Sequence, residues 1–578
     1  TMSEPRYSCS SCAASLPAGS FSKSQVNKLE HKKVQSIKCM VCTERAVVAQ
    51  DGAPKVKVEK QPVVLESKPD KVKAKSSSYD PSLLYIKSPD KTPIIADAVE
   101  FAKSFGLGYN VKIGPTSGWR TVVKLAVRGV VRQNKNGDDY ISTTMGLFKP
   151  GSHNVVSCTD SPAHHITINK ALVRIEQARR RAGVEGYIEG TGYEAGANSE
   201  GAHKNCFLKY VLLTLARQSN KVQLSLVWNT EPTGHAAGAA ALTKLVSELL
   251  SPPSSGRNAG SLPETSDLFH SVWVNYNPSS RYNNAITGRG DDAWKLFFGE
   301  RYAREVVATP MENPPQLMFP PFVFRQANIC AFTNIICNVR HWIQDMVDQK
   351  YTNASSNTQE SSKKRKLAQS SAESSADVRG VKCVELYAGV GTIGLNCLDL
   401  LTELNCSDEN PHNLACFEAA RLSMQPESVR NRAAYRSEPA GAVASSGGLR
   451  GYELILVDPP RKGLDEEVLQ AMLHYDSPTA VISNGHTDGK SKKRAAQSES
   501  TSAENLVNAK RLIYVSCGFP AFKRDAARLT GISPGGSSGP TGSNDKESVR
   551  HWKLVHMEGH VLFPGSDHIE TLAIFDRL

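Results

Sequence analysis

The sequence has no run of 18 or more apolar residues, so no stretch of it has the length of a membrane-spanning helix. The opening residues, TMSEPRYSCSSC, hold no apolar signal core; secretion is not expected, and a transit peptide ahead of them is left open. Cysteine is too thinly spread for a disulfide scaffold. The 13 cysteines among 578 residues form one paired cluster near the start and then scattered singles, the usage of a reducing compartment. An intracellular location is therefore expected, with cytoplasm or nucleus favoured and an organelle left open. Acidic residues are outnumbered, 57 against 69 Lys and Arg. The net charge of +12 favours a polyanionic partner such as nucleic acid and says nothing about fold.

Four low-complexity stretches divide what is there. Residues 53–80 carry seven lysines with Pro, Ser and Val and read as a flexible basic linker. Ser-rich 352–379, 488–505 and 531–545 cannot build a core and read as surface insertions into a folded domain. KKRK (363–366), inside the first of them, reads as a solvated charge run, a nuclear address or an RNA contact. Between the breaks, RTVVKLAVRGVV (120–131), NCFLKYVLLTLARQSNKVQLSLVWN (205–229) and SVWVNYN (271–277) read as strands, the second as a hairpin turning at RQSNK. With a helix over 167–181, residues 83–310 form a strand-rich α+β domain. Beyond 310 the pattern changes to strands alternating with helices, starting with a helix over about 326–350. That alternation argues a parallel, doubly wound α/β sheet over 311–578.

Cys9 and Cys12 form one C-x2-C pair and Cys39 and Cys42 another, 26 residues apart. Two such knuckles supply the four soft ligands of a tetrahedral structural Zn²⁺, so residues 1–50 are expected to be a zinc module and 51–82 its linker. His31 can replace one ligand, though four cysteines suffice. The partner of the module is RNA or a protein.

Chemistry concentrates in the α/β region. VELYAGVGTIGL (384–395) follows a strand and opens a helix, with Gly389 and Gly391 letting the backbone approach a ligand. SDEN (407–410) ends the next strand, where an acid can take both ribose hydroxyls of a nucleoside cofactor. Asp458 in LVDPPRKG (456–463), at the end of a later strand, makes a rigid acidic loop expected beside the cofactor's reactive end. LIYVSC (512–517) ends in a cysteine at a strand's carboxyl end, where open α/β sheets place ligands.

Together these motifs resemble the S-adenosylmethionine-dependent RNA uracil-C5 methyltransferases, which make 5-methyluridine in tRNA or rRNA; the likeness runs over roughly 105–578. FRQAN (324–328) is similar to the family's F-x-Q-x-N and implies Gln326 at the cofactor. ELYAGVGT (385–392) implies Tyr387 and Thr392 there, beside Gly389 and Gly391. Asp408 falls on the acidic position, with Glu409 a near rival, and Asp458 on the family's DPPR-x-G aspartate. YVSCGFPAFKRD (514–525) implies Cys517 as nucleophile, and FPGSDHIET (563–571) implies Glu570 as base. The resemblance thus implies a Rossmann-like methyltransferase domain that binds S-adenosylmethionine. GYNVKIG (108–114) and GLFKPGSHNVVSC (146–158) look like its central-domain entry. Two departures stand out. The Asn-Pro after the nucleophile is Gly518–Phe519, with Pro520 displaced by one. The cysteine cluster that holds an iron–sulfur centre in some members is absent.

The chemistry needs these residue types. A thiolate adding to C6 of uracil makes C5 enolate-like, and sulfur can leave again. A carboxylate must then remove the C5 proton before the thiol is eliminated. The target base must leave its stack, and Lys and Arg along 100–310, including Arg179, Arg180 and Arg181, are expected to hold phosphates. Transfer RNA is the first choice of substrate. Two other readings stay open: a cytosine-C5 RNA methyltransferase, and a zinc-module RNA-binding protein with a retired catalytic domain. Metal analysis of the full chain is expected to find about one Zn²⁺, lost in Cys9→Ser and in Cys42→Ser; unchanged metal in both variants removes the zinc assignment.

Overall fold

The structure is a computed structural model that describes residues 6–8, 15–17, 80–188, 205–252, 268–278, 286–288, 290–361, 379–473, 509–532 and 551–578, with 6–8, 15–17, 81 and 353–361 as backbone. Two compact units divide the chain, Thr1–Ser76 and Ser77–Leu578. In the first, β1 (Arg6–Ser8) pairs antiparallel with β2 (Ser15–Pro17). Cys9 and Cys12 fall in the connection between these strands and Cys39 and Cys42 beyond them, so the zinc expectation lies outside the described residues. So do KKRK, nearly all of the basic linker and most of the three Ser-rich insertions. No group of acidic, His or Cys side chains among the described residues could hold a metal ion. No described helix is long and apolar enough to cross a membrane.

The second unit opens with helix α1 (Pro93–Ser104) and strand β3 (Asn110–Ile113). Pro93 starts the helix where a missing N–H costs nothing, and Ile95, Ala98, Phe101 and Ala102 form its buried stripe. Then come β4 (Val122–Gln133), β5 (Asp139–Phe148), β6 (Val155–Ser157), α2 (Ile166–Ala182), β7 (Leu208–Ala216), β8 (Lys221–Trp228), α3 (Ala236–Leu250), β9 (Phe269–Tyr276) and β10 (Trp294–Gly299). These strands form one seven-stranded sheet in the order β10-β9-β8-β7-β4-β5-β6. The expected hairpin is β7–β8, turned through Asn220 at φ 53°. β8 and β9 run parallel with α3 between them, a crossover that the strand-rich reading of this region did not foresee. Helices α2 and α3 cover one sheet face, burying Ile168, Leu172, Leu245 and Leu249 against Leu125, Val211, Leu224 and Val272.

A two-stranded ribbon, β11 (Ala303–Val306) and β12 (Gln316–Phe319), leads to the long helix α4 (Ile329–Ser361). The α/β domain follows: β13 (Val381–Leu386), β14 (Leu401–Ser407), α5 (His412–Leu422), β15 (Ala433–Arg436), α6 (Ala440–Ser445), β16 (Leu454–Val457), α7 (Glu466–Leu473), β17 (Arg511–Ser516), α8 (Phe519–Thr530), β18 (Trp552–Val561) and β19 (Glu570–Arg577). Its sheet has the order β15-β14-β13-β16-β17-β19-β18-β3. The first five are parallel, and β19 enters antiparallel between β17 and β18. This is the doubly wound, Rossmann-like architecture expected of the region, with apolar clusters on both sheet faces.

Three expectations need correction. The domain boundary at 83 is displaced: β3 pairs with β18, and α1 packs Phe101 against Phe519 and Phe522. Residues 93–113 therefore belong to the second sheet, because β18 would otherwise leave an unpaired edge. The helix expected after the glycine loop is six residues of 3-10 turn, Leu395–Leu400, since too few residues separate β13 from β14 for a full helix. Arg179 does not reach for phosphate. It is 4% exposed and bonded to Glu176, Glu185 and the Val184 carbonyl, while Arg180 and Arg181 pair with Glu176 and Glu248.

The two sheets meet at residues 324–328. Thr121 donates through N and Oγ1 to the Ala327 carbonyl at 2.8 and 2.9 Å, and Arg325 Nη1 to the Leu215 carbonyl at 2.8 Å. Arg325 also pairs with buried Glu305, which Arg217 holds from the other side at 3.0 Å. Arg325→Met is expected to cost about 3 kcal/mol, because it removes the buried one of the two cations that hold a buried carboxylate. Arg325→Met with Glu305→Leu should recover most of that loss in urea unfolding midpoints.

Candidate active site

The candidate residues of the α/β domain other than Gln326 and Glu570 follow from one feature of the second sheet: the loops at the carboxyl ends of β13, β14, β16 and β17 open on the same side. After β13, Tyr387 has φ 59°, Gly389 φ 55° and Gly391 φ 76°. A Cβ at Gly391 would lie 2.6 Å from the Phe417 ring, so this turn admits no side chain; at Gly389 nothing lies within 4 Å, and the backbone is open to a ligand. Asp408 follows β14 directly. Its Oδ2 accepts from Gly389 N at 3.1 Å, and its Oδ1 from Asn410 N at 2.9 Å and Asn413 Nδ2 at 3.0 Å. Glu409 is exposed and Asp408 half-buried. Oδ2 keeps a lone pair. Beside it, Ser407 Oγ and Asn413 Oδ1 are buried without a hydrogen-bond partner. Open glycine backbone, a carboxylate with spare capacity and unpaired polar atoms suit a polar nucleoside ligand.

Other candidates are placed less as expected. Tyr387 turns its hydroxyl to Asp465, donating to Oδ2 at 3.1 Å and accepting from N at 2.9 Å, so it ties the glycine loop to the loop after β16. Thr392 is half-buried, with no side-chain bond recorded. Gln326 sits at the seam between the sheets. Its neighbour Asn328 accepts from Ala331 N at the start of α4 and donates to the Leu562 carbonyl at 2.8 Å, beside the turn into β19.

The thiol and the carboxyls come together. Cys517 is the first residue beyond β17, and its Sγ lies 3.9 Å from the Pro459 carbonyl. Glu570 is the first residue of β19, and Ser516 is the register partner of Thr571. One step further along the same antiparallel ladder puts Cys517 beside Glu570 on one sheet face. Asp458 follows β16, the neighbouring strand. Burial pushes the Cys517 thiol up to about 12, helped by the Glu570 and Asp458 carboxyls and opposed by Arg461. Burial likewise lifts Asp458 to about 7, and with Asp458 raises Glu570 well above the usual carboxylate range.

The departure at Gly518 has a steric cause. A Cβ there would stand 2.5 Å from the Arg461 carbonyl, so the missing side chain lets the Asp-Pro-Pro loop close on the cysteine. Pro520 falls in the first turn of α8, where proline is favoured. Sequence reasoning passed over Arg461 and Asp525, though both lie in the quoted motifs. Asp525 accepts from Leu464 N at 2.9 Å and Tyr514 Oη at 2.8 Å and so anchors the loop.

No family model matches the chain. An uncharacterized RNA methyltransferase of Protochlamydia amoebophila is 28% identical over 465 residues, 80% of this chain and 87% of that protein. A 23S rRNA (uracil(747)-C(5))-methyltransferase of Shewanella loihica is 23% identical over 370 residues, 64% of this chain and 75% of its own. Among solved structures, a Pyrococcus abyssi tRNA (uracil-54, C5)-methyltransferase in complex with S-adenosyl-L-homocysteine superposes with a TM-score of 0.47 and 16% identity, over 82% of this chain and 81% of that one. The chain is therefore similar to RNA methyltransferases over four fifths of its length.

Removing the Asp458 charge should make Cys517 easier to ionise. In Asp458→Asn the pH profile of Cys517 alkylation by iodoacetamide, read by peptide mass spectrometry, is expected to move to lower pH. An unmoved profile would mean that the two groups do not interact.

Proposed function

We propose that the chain methylates C5 of a uridine in RNA, with Cys517 as nucleophile and Glu570 as general base. The observation that carries this reading is that Cys517 and Glu570 fall opposite one another, one step beyond the Ser516–Thr571 pair at the ends of adjacent strands, with Asp458 after the neighbouring strand. Likeness to RNA methyltransferases supports the reaction class, and one of those relatives is named for uracil C5.

S-adenosylmethionine, held by Gly389, Gly391, Asp408 and neighbouring Gln326, Tyr387 and Thr392, supplies an electrophilic methyl group. The chain's residues do the rest. Cys517 gives its S–H proton to water, the thiolate sulfur forms a bond to C6, and the C5–C6 π electrons move to C5. A raised thiol pKa keeps the resting cysteine unreactive, and Arg461 supplies the positive charge that opposes the shift. After transfer, C5 carries a methyl group and a proton. Glu570 removes that proton, the C5–C6 double bond re-forms and the sulfur leaves. Asp458, on the loop after β16, is assigned to the cofactor's reactive end.

Transfer RNA remains the proposed substrate, with ribosomal RNA the competing one because the Shewanella relative is named for it. Digestion of modified RNA to nucleosides should yield 5-methyluridine; 5-methylcytidine would establish the cytosine reading instead. Cys517→Ala is expected to lose turnover and form no covalent complex. Glu570→Gln should transfer the methyl group and then stall, leaving an RNA–protein adduct that survives denaturing electrophoresis. Methylation by Cys517→Ala would end the mechanism.

A further inference from the structure

In the first sheet β8 and β9 run parallel with α3 between them, and units of this kind take ligands outside the carboxyl ends of their strands. At that end a cavity of about 350 Å³ opens between residues 230–239 and Tyr276. The chain enters α3 there through TEPTGHAAGAAAL (230–242), whose small residues leave the backbone uncovered. His235 caps the helix. Its Nδ1 accepts from Gly238 N at 2.9 Å, and its ring meets Phe207 edge-on at 5.4 Å. Gly238 permits this closure, since a Cβ there would stand 2.7 Å from Thr230 Cγ2. The Ala236 and Ala237 N–H groups of the first turn meet no acceptor among the described residues, the usual state of a helix start that nothing else completes.

Tyr276 brings a further unused donor to the same cavity. It is the last residue of β9, the register partner of Trp228, and lies in the apolar cluster beneath α2 and α3. It is 8% exposed and lines the cavity, yet its hydroxyl is bonded to nothing among the described residues. A tyrosine so deeply buried ordinarily finds a partner for its hydroxyl, so this one is left to the cavity's occupant. Donors that converge at the positive end of a helix select an anion, phosphate above all. Thr233 adds an exposed hydroxyl to the rim. Glu231 is the acid in the lining, exposed and with its carboxylate unbonded among the described residues. It only accepts, so it suits a sugar hydroxyl and opposes a second anion. Inorganic phosphate would leave Glu231 unused, whereas a ribose phosphate engages both ends of the cavity.

We propose that this cavity holds one ribonucleotide of the RNA substrate, other than the target uridine. Its phosphate sits on the Ala236 and Ala237 N–H groups and the Tyr276 hydroxyl, and a ribose hydroxyl donates to Glu231. The proposal rests on the reading of RNA as the substrate. No bond is made or broken here. The site adds affinity and fixes the register of a strand whose target base reacts at the second sheet.

The test is filter binding of the full chain to a short uridine oligoribonucleotide and to its deoxyribose counterpart, over a series of salt concentrations and without cofactor. Ala236→Glu sets a carboxylate at an exposed helix start, where it favours the helix and takes the place of the phosphate. RNA affinity should fall about tenfold, and the slope of log K against log salt should drop by about 0.7, one phosphate of a single strand. Tyr276→Phe loses one oxygen and should cost about fivefold, one hydrogen bond. Glu231→Ala should lower the preference for ribose over deoxyribose by about fivefold. Ala240→Glu, one turn further on and outside the cavity, is the charge control and should leave the slope unchanged. Wild-type affinity and slope in both Ala236→Glu and Tyr276→Phe overturn the proposal, as does an equal loss in Ala240→Glu. Calorimetric binding of uridine 5′-monophosphate, with RNA affinity untouched by the variants, would mark a free-nucleotide site, and the RNA assignment would fall. Failure of the proposed function looks different: wild-type protein would then form no 5-methyluridine in RNA, whatever the binding series shows.

Discussion

The antiparallel entry of β19 between β17 and β18 is the constraint from which the rest of the site follows. Five parallel strands deliver the glycine loop, Asp408, Asp458 and Cys517 to one edge of the sheet. A sixth parallel strand would start at the far edge and carry its first residue away from them. Because β19 runs the other way, its first residue, Glu570, starts where β17 ends. The same reversal sets His560, near the end of β18, opposite Glu570. One change of strand direction therefore brings thiol, carboxyl and histidine into a single row.

Burial then sets the chemistry of that row. Desolvation disfavours ionisation of Cys517, Asp458 and Glu570 alike; the two carboxyls add to it at Cys517, and Asp458 adds to it at Glu570. Such a cluster is costly to charge and cheap to keep neutral. Reactivity is thus held back until positive charge arrives or a proton is taken away. Arg461 lies on the loop that Gly518 allows to close. The loop itself is pinned by Asp525 and by the Tyr387–Asp465 contact, so the acidic turn, the glycine turn and α8 are held as one assembly.

Much of this was legible in the residues. Strand–helix alternation after 310 led to the doubly wound sheet, and the strand-end motifs led to Cys517, Asp458 and the glycine loop, because local sequence encodes strand, turn and helix start. Arg179 shows where that reading stops. Three arginines at a helix end look like a phosphate site, yet Arg179 is consumed by Glu176 and Glu185, a pairing visible only once the helix packs. Tyr387 is a second case, since its partner Asp465 lies far along the chain. A third is the boundary at 83, where the ladder between 110–113 and 558–561 joins segments that no local pattern connects.

The sequence by itself determined the residue types, their order and the strand ends on which they sit. It also set the positive-φ glycines, because only glycine enters those turns without strain. Tertiary structure decided which of these residues meet. Side-chain direction alternates along a strand, so whether Glu570 faces Cys517 or the opposite side depends on register, and register depends on partners distant in the chain. The same dependence brings Lys112 and Glu558 beside His560 and turns an isolated histidine into part of the row.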